Sequence, residues 1–275
     1  MPELPEVETV RRGLEKMILG AKIEHVKVLY PKIINGDPSD FCRLLQEREI
    51  LSLDRRGKYL IFNFSGDLSM ISHLRMEGKY FVKKSSDPLE KHTHIVFFLH
   101  NGRQLRYNDV RKFGRMELVP TVQRYEVAGI KKLGPEPTAA LFDATSFFAN
   151  LRKKKKVIKT TLLDQTLVAG LGNIYADEVL WLSRIHPETP ACNLTEDDAK
   201  LLHDNIIAEL AKAIKAGGTT IKTYTDAFQH SGSFQFDLHV YGKKGKPCER
   251  CGTSIEKIVV GQRGTHFCPS CQKVK

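Results

Sequence analysis

The sequence predicts an α+β protein of more than one domain. It reads as a β-sandwich behind an N-terminal helix, then a helical segment, then a small cysteine-bearing hairpin. Three observations carry this. Val7, Val10, Leu14 and Met17 recur at helical spacing between Pro5 and Gly20. Residues 21 to about 120 alternate short β-branched and aromatic runs with turns. Beyond residue 150 long amphipathic stretches return, and four cysteines follow as Cys248-x2-Cys251 and Cys268-x2-Cys271.

Each element has a local cause. Pro5 suits the first turn of the opening helix and Gly20 its stop. KYLIFNF (58–64) and LSMISHL (68–74) flank Ser65-Gly66-Asp67 as paired strands. HIVFFLH (94–100) and QLRYN (104–108) flank Asn101-Gly102, a strong hairpin signal. These belong to a domain of residues 1–133. The stretch 134–150, with Pro135 and Pro137, reads as a connection. FFANLRKKKKVIKTTLLDQ (147–165) reads as an amphipathic helical stretch with a basic block, and GLGNIYADEVLWLSRI as a helix from about Asn173. Asn193-Leu194-Thr195 caps a long helix carrying Leu202, Ile206, Leu210 and Ile214, which Gly217-Gly218 stop. A polar loop at 219–237 completes a domain of residues 151–237, and 238–275 forms the cysteine module.

The chain has 275 residues, with 41% hydrophobic and 27% charged, as in ordinary globular proteins. A net charge of +11 suits a polyanionic partner, nucleic acid above all. Nothing resembles a signal peptide, and no apolar run approaches bilayer length, so a cytoplasmic location is expected. Nothing demands more than a monomer.

Two Cys-x2-Cys pairs supply the four tetrahedral ligands that zinc prefers, and sixteen residues between them suit a β-hairpin. Cysteine takes all four positions, so the site reads as structural. Gly261-Gln262-Arg263-Gly264-Thr265 is a turn presenting one arginine, which alone reads as a surface residue. The block Lys153 to Lys156 with Lys159 reads as a solvated helix face or a phosphate track. In VRKFG (110–114), Arg111 and Phe113 are a cation and ring on a loop, able either to wedge between bases or to tuck into the core.

MPELPEVETV opens the chain. Met1 precedes a small residue, so an aminopeptidase is expected to remove it and leave Pro2 with a free secondary amine. Such an amine titrates near ~8, and a helix N-terminus disfavours its ammonium form. The neutral amine is a nucleophile, and its attack on a sugar C1′ gives a cationic iminium that acidifies the neighbouring carbon. Glu3 can serve as general acid/base, Glu6 can orient the terminus, and Lys58 in RRGK is a candidate proton donor from another loop. Read only as a helix start, the same residues are a capped N-terminus with dipole-friendly carboxylates.

The ordered set MPELPEVET, RRGKYL (55–60), HLRMEG (73–78), KHTHI (91–95), RYNDVRKFG (106–114), LGPEP (133–137), LLDQTLVAGLGNIYADE (162–178), GGTT (217–220), VYGKKGKPCERCG and GQRGTHFCPSCQ resembles the formamidopyrimidine-DNA glycosylase family of bacterial base-excision repair enzymes over essentially the whole chain. The resemblance implies a helix-two-turn-helix domain between sandwich and zinc finger. It also implies repair of oxidised purines (8-oxoguanine, formamidopyrimidines) in double-stranded DNA, through base excision and β,δ-elimination. In its terms Pro2 is the Schiff-base nucleophile and Glu3 the general acid/base, with Glu6 in support. Lys58 and Arg263 are the proton donors of β- and δ-elimination. His92, Arg111 and Lys154 contact DNA, while His73 and Asn173 grip phosphates around the lesion; Lys159, from the basic block rather than the resemblance, is taken as a further DNA contact. Met76, Arg111 and Phe113 fill the gap left by a flipped base, and the 219–237 loop covers it. Cys248, Cys251, Cys268 and Cys271 hold one structural zinc. A non-catalytic zinc-ribbon DNA-binding protein explains the charge and cysteines equally well, but not the terminal Pro-Glu or Lys58.

Overall fold

The computed structural model describes residues 1–219 and 232–275. They group into two compact units, residues 1–131 with 217–219 and 232–233, and residues 132–216 with 234–275.

In the first unit, helix α1 (Leu4–Ile18) buries Val7, Val10, Leu14 and Ile18 along one stripe. Strands β1 (Ile23–Val28), β2 (Ile50–Arg56), β3 (Tyr59–Phe64), β4 (Leu68–His73), β5 (Lys79–Lys84), β6 (Thr93–Leu99), β7 (Arg103–Asn108) and β8 (Arg115–Pro120) follow, with helix α2 (Pro38–Leu45) between β1 and β2. They form two antiparallel four-stranded sheets, ordered β1-β6-β7-β5 and β2-β3-β4-β8. Alternation sets which side chains meet: Phe62, Phe64 and Met70 join Phe97, Leu105, Tyr107 and the α1 stripe in one core. Ile61 and Ile71 point the other way, under Ile130 of the short helix α3 (Ala128–Lys131).

The second unit holds α4 (Ala144–Leu151), α5 (Ile158–Leu163), α6 (Asn173–Leu182) and α7 (Glu196–Lys215), then a hairpin of β9 (Glu256–Val260) and β10 (Arg263–Phe267). Thr195 caps α7 in a capping box with Asp198.

Three sequence expectations change. The 134–150 stretch is not all connection: Asp143 caps α4 by accepting the Ser146 N–H at 2.7 Å. Residues 217–219 and 232–233, placed with the helical segment, group with the sandwich unit. The basic block is no continuous helix either, since α4 ends at Leu151 and α5 starts at Ile158. Its backbone bonds elsewhere: Ala191 N–H donates to Lys156 O at 2.9 Å, and Cys192 N–H to Lys154 O at 3.0 Å. Of the 219–237 loop, residues 220–231 lie outside the described residues.

Candidate active site and nucleic-acid interface

Met1 is exposed, and the residues directly after it are buried. Pro2 is buried and Glu3 is only 2% exposed. Glu3 is the N-cap of α1, and its N–H donates to Glu6 Oε2 at 2.8 Å, one half of a capping box. The other Glu6 oxygen accepts from the Thr219 N–H at 2.8 Å and Oγ1–H at 3.0 Å. A Cβ at Gly218, whose φ is +76°, would sit 2.8 Å from that oxygen. Only glycine fits this turn, so the chain closes tightly over Glu6.

Lys58 follows Gly57 in the two-residue turn joining β2 to β3, and Gly57 takes φ +55° at its first position. The α1 helix holds this turn in place. Glu8 Oε2 accepts from Arg55 Nε at 3.0 Å, and Arg55 Nη1 donates to Gly57 O at 3.0 Å. Hydrogen bonds from Arg11 and Arg12, with the charges of Arg11 and Arg55, overcome burial and hold the Glu8 carboxyl below its usual range. Lys58 itself is buried.

His73, 9% exposed at the end of β4, meets Tyr59 edge-on at 4.5 Å. Its Nδ1 accepts the Arg75 N–H at 2.9 Å, which leaves the ring proton on Nε2 as a donor. Met76 is half-buried in the turn after β4. His92 is half-buried, with its backbone in the left-handed region at φ 69°. Arg75 (φ 54°) and Lys112 (φ 59°) share that strained geometry, and all three flank or form the predicted DNA contacts. Arg111 is exposed, and its guanidinium lies 4.8 Å from the Phe113 ring centroid. Phe113 does not tuck into the core; it is 47% exposed.

In the second unit Gly261 (φ 53°) and Gln262 (φ 62°) form a two-residue turn between Val260 and Arg263, which leads β10 and is exposed. Asn173 opens α6, and its Nδ2 donates to Gly264 O at 2.8 Å, so the helix start is tied to the arginine's strand. Lys153, Lys155 and Lys156 are exposed and Lys154 half-buried.

Lys159 does not join them. It is fully buried, and its Nζ donates to Asp177 Oδ1 at 2.5 Å and to Asn173 O at 3.0 Å. Asp177 Oδ2 accepts the His266 N–H from β10 at 2.9 Å. An ammonium fully desolvated in this pair offers nothing to phosphate, so Lys159 secures the hairpin instead.

The family's N-terminal domain matches residues 1–116, its H2TH domain residues 133–225, and a zinc finger found in FPG and IleRS residues 245–274. A curated formamidopyrimidine-DNA glycosylase of Ligilactobacillus salivarius is 65% identical over 100% of both chains. The chain belongs to the formamidopyrimidine-DNA glycosylase family. Its counterpart in Enterococcus faecalis is 54% identical, covering 100% of this chain and 98% of that one. Among solved structures, Lactococcus lactis Fpg with abasic-site DNA superposes at a TM-score of 0.95, with 52% identity over 98% of this chain and 99% of that one. The same protein with N7-benzyl-Fapy-dG DNA gives 0.95, with 51% identity over 99% and 100%.

The glycosylase's zinc ligands meet as their spacing requires. The Cys248, Cys251, Cys268 and Cys271 sulfurs lie within 4.8 Å of one another, with contacts of 3.4 to 3.9 Å. Tetrahedral zinc with ~2.3 Å bonds places sulfurs roughly 3.8 Å apart, so the cage fits one zinc ion. Trp181 Nε1 donates to Cys248 Sγ at 3.4 Å, fixing a ligand from outside.

Sequence reasoning missed three buried carboxylates of this glycosylase. Asp109 accepts the N–H groups of Arg111 and Gly114, Asp177 accepts from Lys159 Nζ and the His266 N–H, and Glu178 accepts the N–H groups of His239, Val240 and Tyr241 at 2.6 to 3.0 Å. The signal was an Asp-Glu pair within an otherwise apolar helix, and an aspartate opening a loop that a glycine ends.

Proposed function

We propose that Pro2, once Met1 is removed, attacks C1′ of an oxidised purine nucleotide. The chain is a bifunctional DNA glycosylase and AP lyase of base-excision repair, acting on oxidised purines in duplex DNA. Because C1′ is shielded in the stack, the base must be everted first. Arg111, Met76 and Phe113 open the duplex, with Arg111 facing the orphaned cytosine and Phe113 wedging the neighbouring step. Glu3 assists sugar-ring opening while the base departs and the iminium forms at C1′. The iminium withdraws electrons, a C2′ proton leaves, and the 3′ phosphate is expelled with Lys58 as proton donor. A second elimination, with Arg263 as donor, expels the 5′ phosphate. Glu6 orients the nucleophile, His73 and Asn173 hold flanking phosphates, and His92 and Lys154 contact the backbone. Zinc supplies only the fold of the hairpin bearing Arg263.

The reading divides the chain into a catalytic sandwich (1–133), with which residues 217–219 and 232–233 group, a connecting stretch that carries α4, a helix-two-turn-helix domain from residue 151 and a zinc finger (238–275). It places the enzyme in the bacterial cytoplasm, working at the nucleoid. Among the described residues no helix is long and apolar enough to cross a membrane.

What supports this chemistry most is the burial of Pro2 and Glu3, locked through Glu6 where chain ends normally fray. The test is incubation with an 8-oxoguanine·cytosine duplex. The expected product is a one-nucleotide gap with phosphate on both sides. Tight binding without strand cleavage would instead favour a non-catalytic zinc-ribbon binder.

A further inference from the structure

We propose that Asp109 is a positioning residue that presets the duplex-opening loop; this rests on the reading of Arg111 and Phe113 above. Asp109 is fully buried at the end of β7, and every polar group it carries is committed to that loop or its neighbour. Oδ1 accepts the Arg111 N–H at 3.0 Å, and Oδ2 accepts the Gly114 N–H at 2.8 Å. The carboxylate thus bridges both ends of the loop. Its carbonyl accepts the Lys112 N–H at 3.2 Å and meets His94 Nε2 at 2.8 Å. Its own N–H donates to His92 O at 3.1 Å, joining the loop to the second predicted DNA contact.

Other ties reach only its C-terminal side and Lys112: Arg115 Nη1 donates to Phe113 O at 3.4 Å and to Gly114 O at 2.8 Å, and Lys112 Nζ lies 4.7 Å from the Tyr30 ring centroid. Val110 is 55% exposed and Phe113 47%, and Lys112 sits in a strained left-handed conformation. Gly114 is pressed against Tyr107, whose hydroxyl a Cβ would approach to 1.7 Å, and that hydroxyl lies 3.5 Å from Asp109 Oδ2. An exposed ring held by a buried carboxylate is ordered before DNA arrives. A preset wedge avoids the ordering cost on insertion, so Asp109 governs base opening and not the chemistry that follows.

Asparagine is the sharp substitution. It keeps one acceptor and turns an NH2 toward the second backbone N–H, so one tie is lost. With 2-aminopurine beside an 8-oxoguanine·cytosine pair, Asp109→Asn should slow the opening phase 10- to 100-fold. The chemical step measured after opening should stay within threefold of the parent, as should borohydride trapping at a preformed abasic site. Combined with Phe113→Ala, it should add less than threefold to the effect of Phe113→Ala alone. Opening at the parent rate, or an equal loss in every phase, overturns the proposal. If Phe113→Ala itself opens DNA at the parent rate, the reading of the loop fails instead. Should Asp109→Asn not fold, hydrogen exchange in the parent decides. Arg111 and Gly114 amides protected well beyond those of Val110 and Phe113 support the clamp, and equal exchange refutes it.

Discussion

The backbone N–H of Arg75 donates to Nδ1 of His73 at 2.9 Å, and this one bond sets the tautomer of the neutral imidazole. Burial, with the charges of Arg75 and Lys58 beside it, pushes the His73 pKa down to about 3. The ring is therefore a neutral Nε2–H donor throughout the physiological range. Nitrogen-15 NMR should show no protonation of His73 between pH 8 and 4.5. Because the folded pKa lies below the unfolded one of ~6.5, the group's stabilisation is complete above pH ~6.5 and falls away toward pH 3. A His73 titrating near 6.5 contradicts the assigned hydrogen bond.

Lys154 and Lys159 should behave oppositely. Lys159 and Asp177 form a fully buried pair. Lys159→Ala leaves Asp177 uncompensated and should cost about 3–5 kcal/mol of stability. Lys154→Ala should leave stability nearly unchanged and lower the salt dependence of DNA binding by about one phosphate contact. Salt titrations of DNA affinity beside thermal melts separate the two. A Lys159→Ala protein with the parent's melting temperature and a shallower salt slope would restore Lys159 to the phosphate track.

Glu209 on α7 makes the helical unit weaken in alkali. It is buried, one carboxylate oxygen lacks a hydrogen-bond partner among the described residues, and burial with the nearby Glu178 carboxylate raises its pKa to about 7. The folded state binds the proton more tightly than the unfolded state, so stability is full below pH ~4.5 and is lost as pH rises through about 7. The loss amounts to about 3 kcal/mol at most. Glu209→Gln should abolish it, matching the parent at pH 5 and melting higher at pH 8.5. Parallel melting curves at both pH values would refute the assignment.

The single tryptophan reports on the zinc cage. Trp181 stacks on His239 at 4.3 Å, lies 3.7 Å from the Arg250 guanidinium, and donates to Cys248. Chelating the zinc should red-shift its emission and abolish strand cleavage together, since the cage shapes the hairpin bearing Arg263. An unchanged spectrum from zinc-free protein would sever that link.

Much of the fold was legible because its causes are local. Asn101-Gly102 prescribes a hairpin, Pro5 and Gly20 bracket α1, and the cysteine spacing prescribes a cage. What was illegible depends on partners distant in sequence. The break after Leu151 arises because residues 154 and 156 bond to residues 191–192. The burial of Lys159 depends on Asp177, eighteen positions on. Phe113 stands exposed in a loop whose Arg111 and Gly114 N–H groups bond the Asp109 carboxylate, a tie that neither residue type nor periodicity announces. Among the site residues proposed from motifs, Pro2, Glu3 and Lys58 are buried and Arg263 and Phe113 are exposed, while the carboxylates that hold their segments had no periodic signature.

The central claim is that the chain's second residue becomes its chemical first. Borohydride reduction during turnover of an 8-oxoguanine·cytosine duplex, followed by peptide mass spectrometry, tests it directly. The account predicts one protein–DNA adduct, on the nitrogen of Pro2 in chains that have lost Met1. An adduct on a lysine, or active chains that retain Met1, would contradict it.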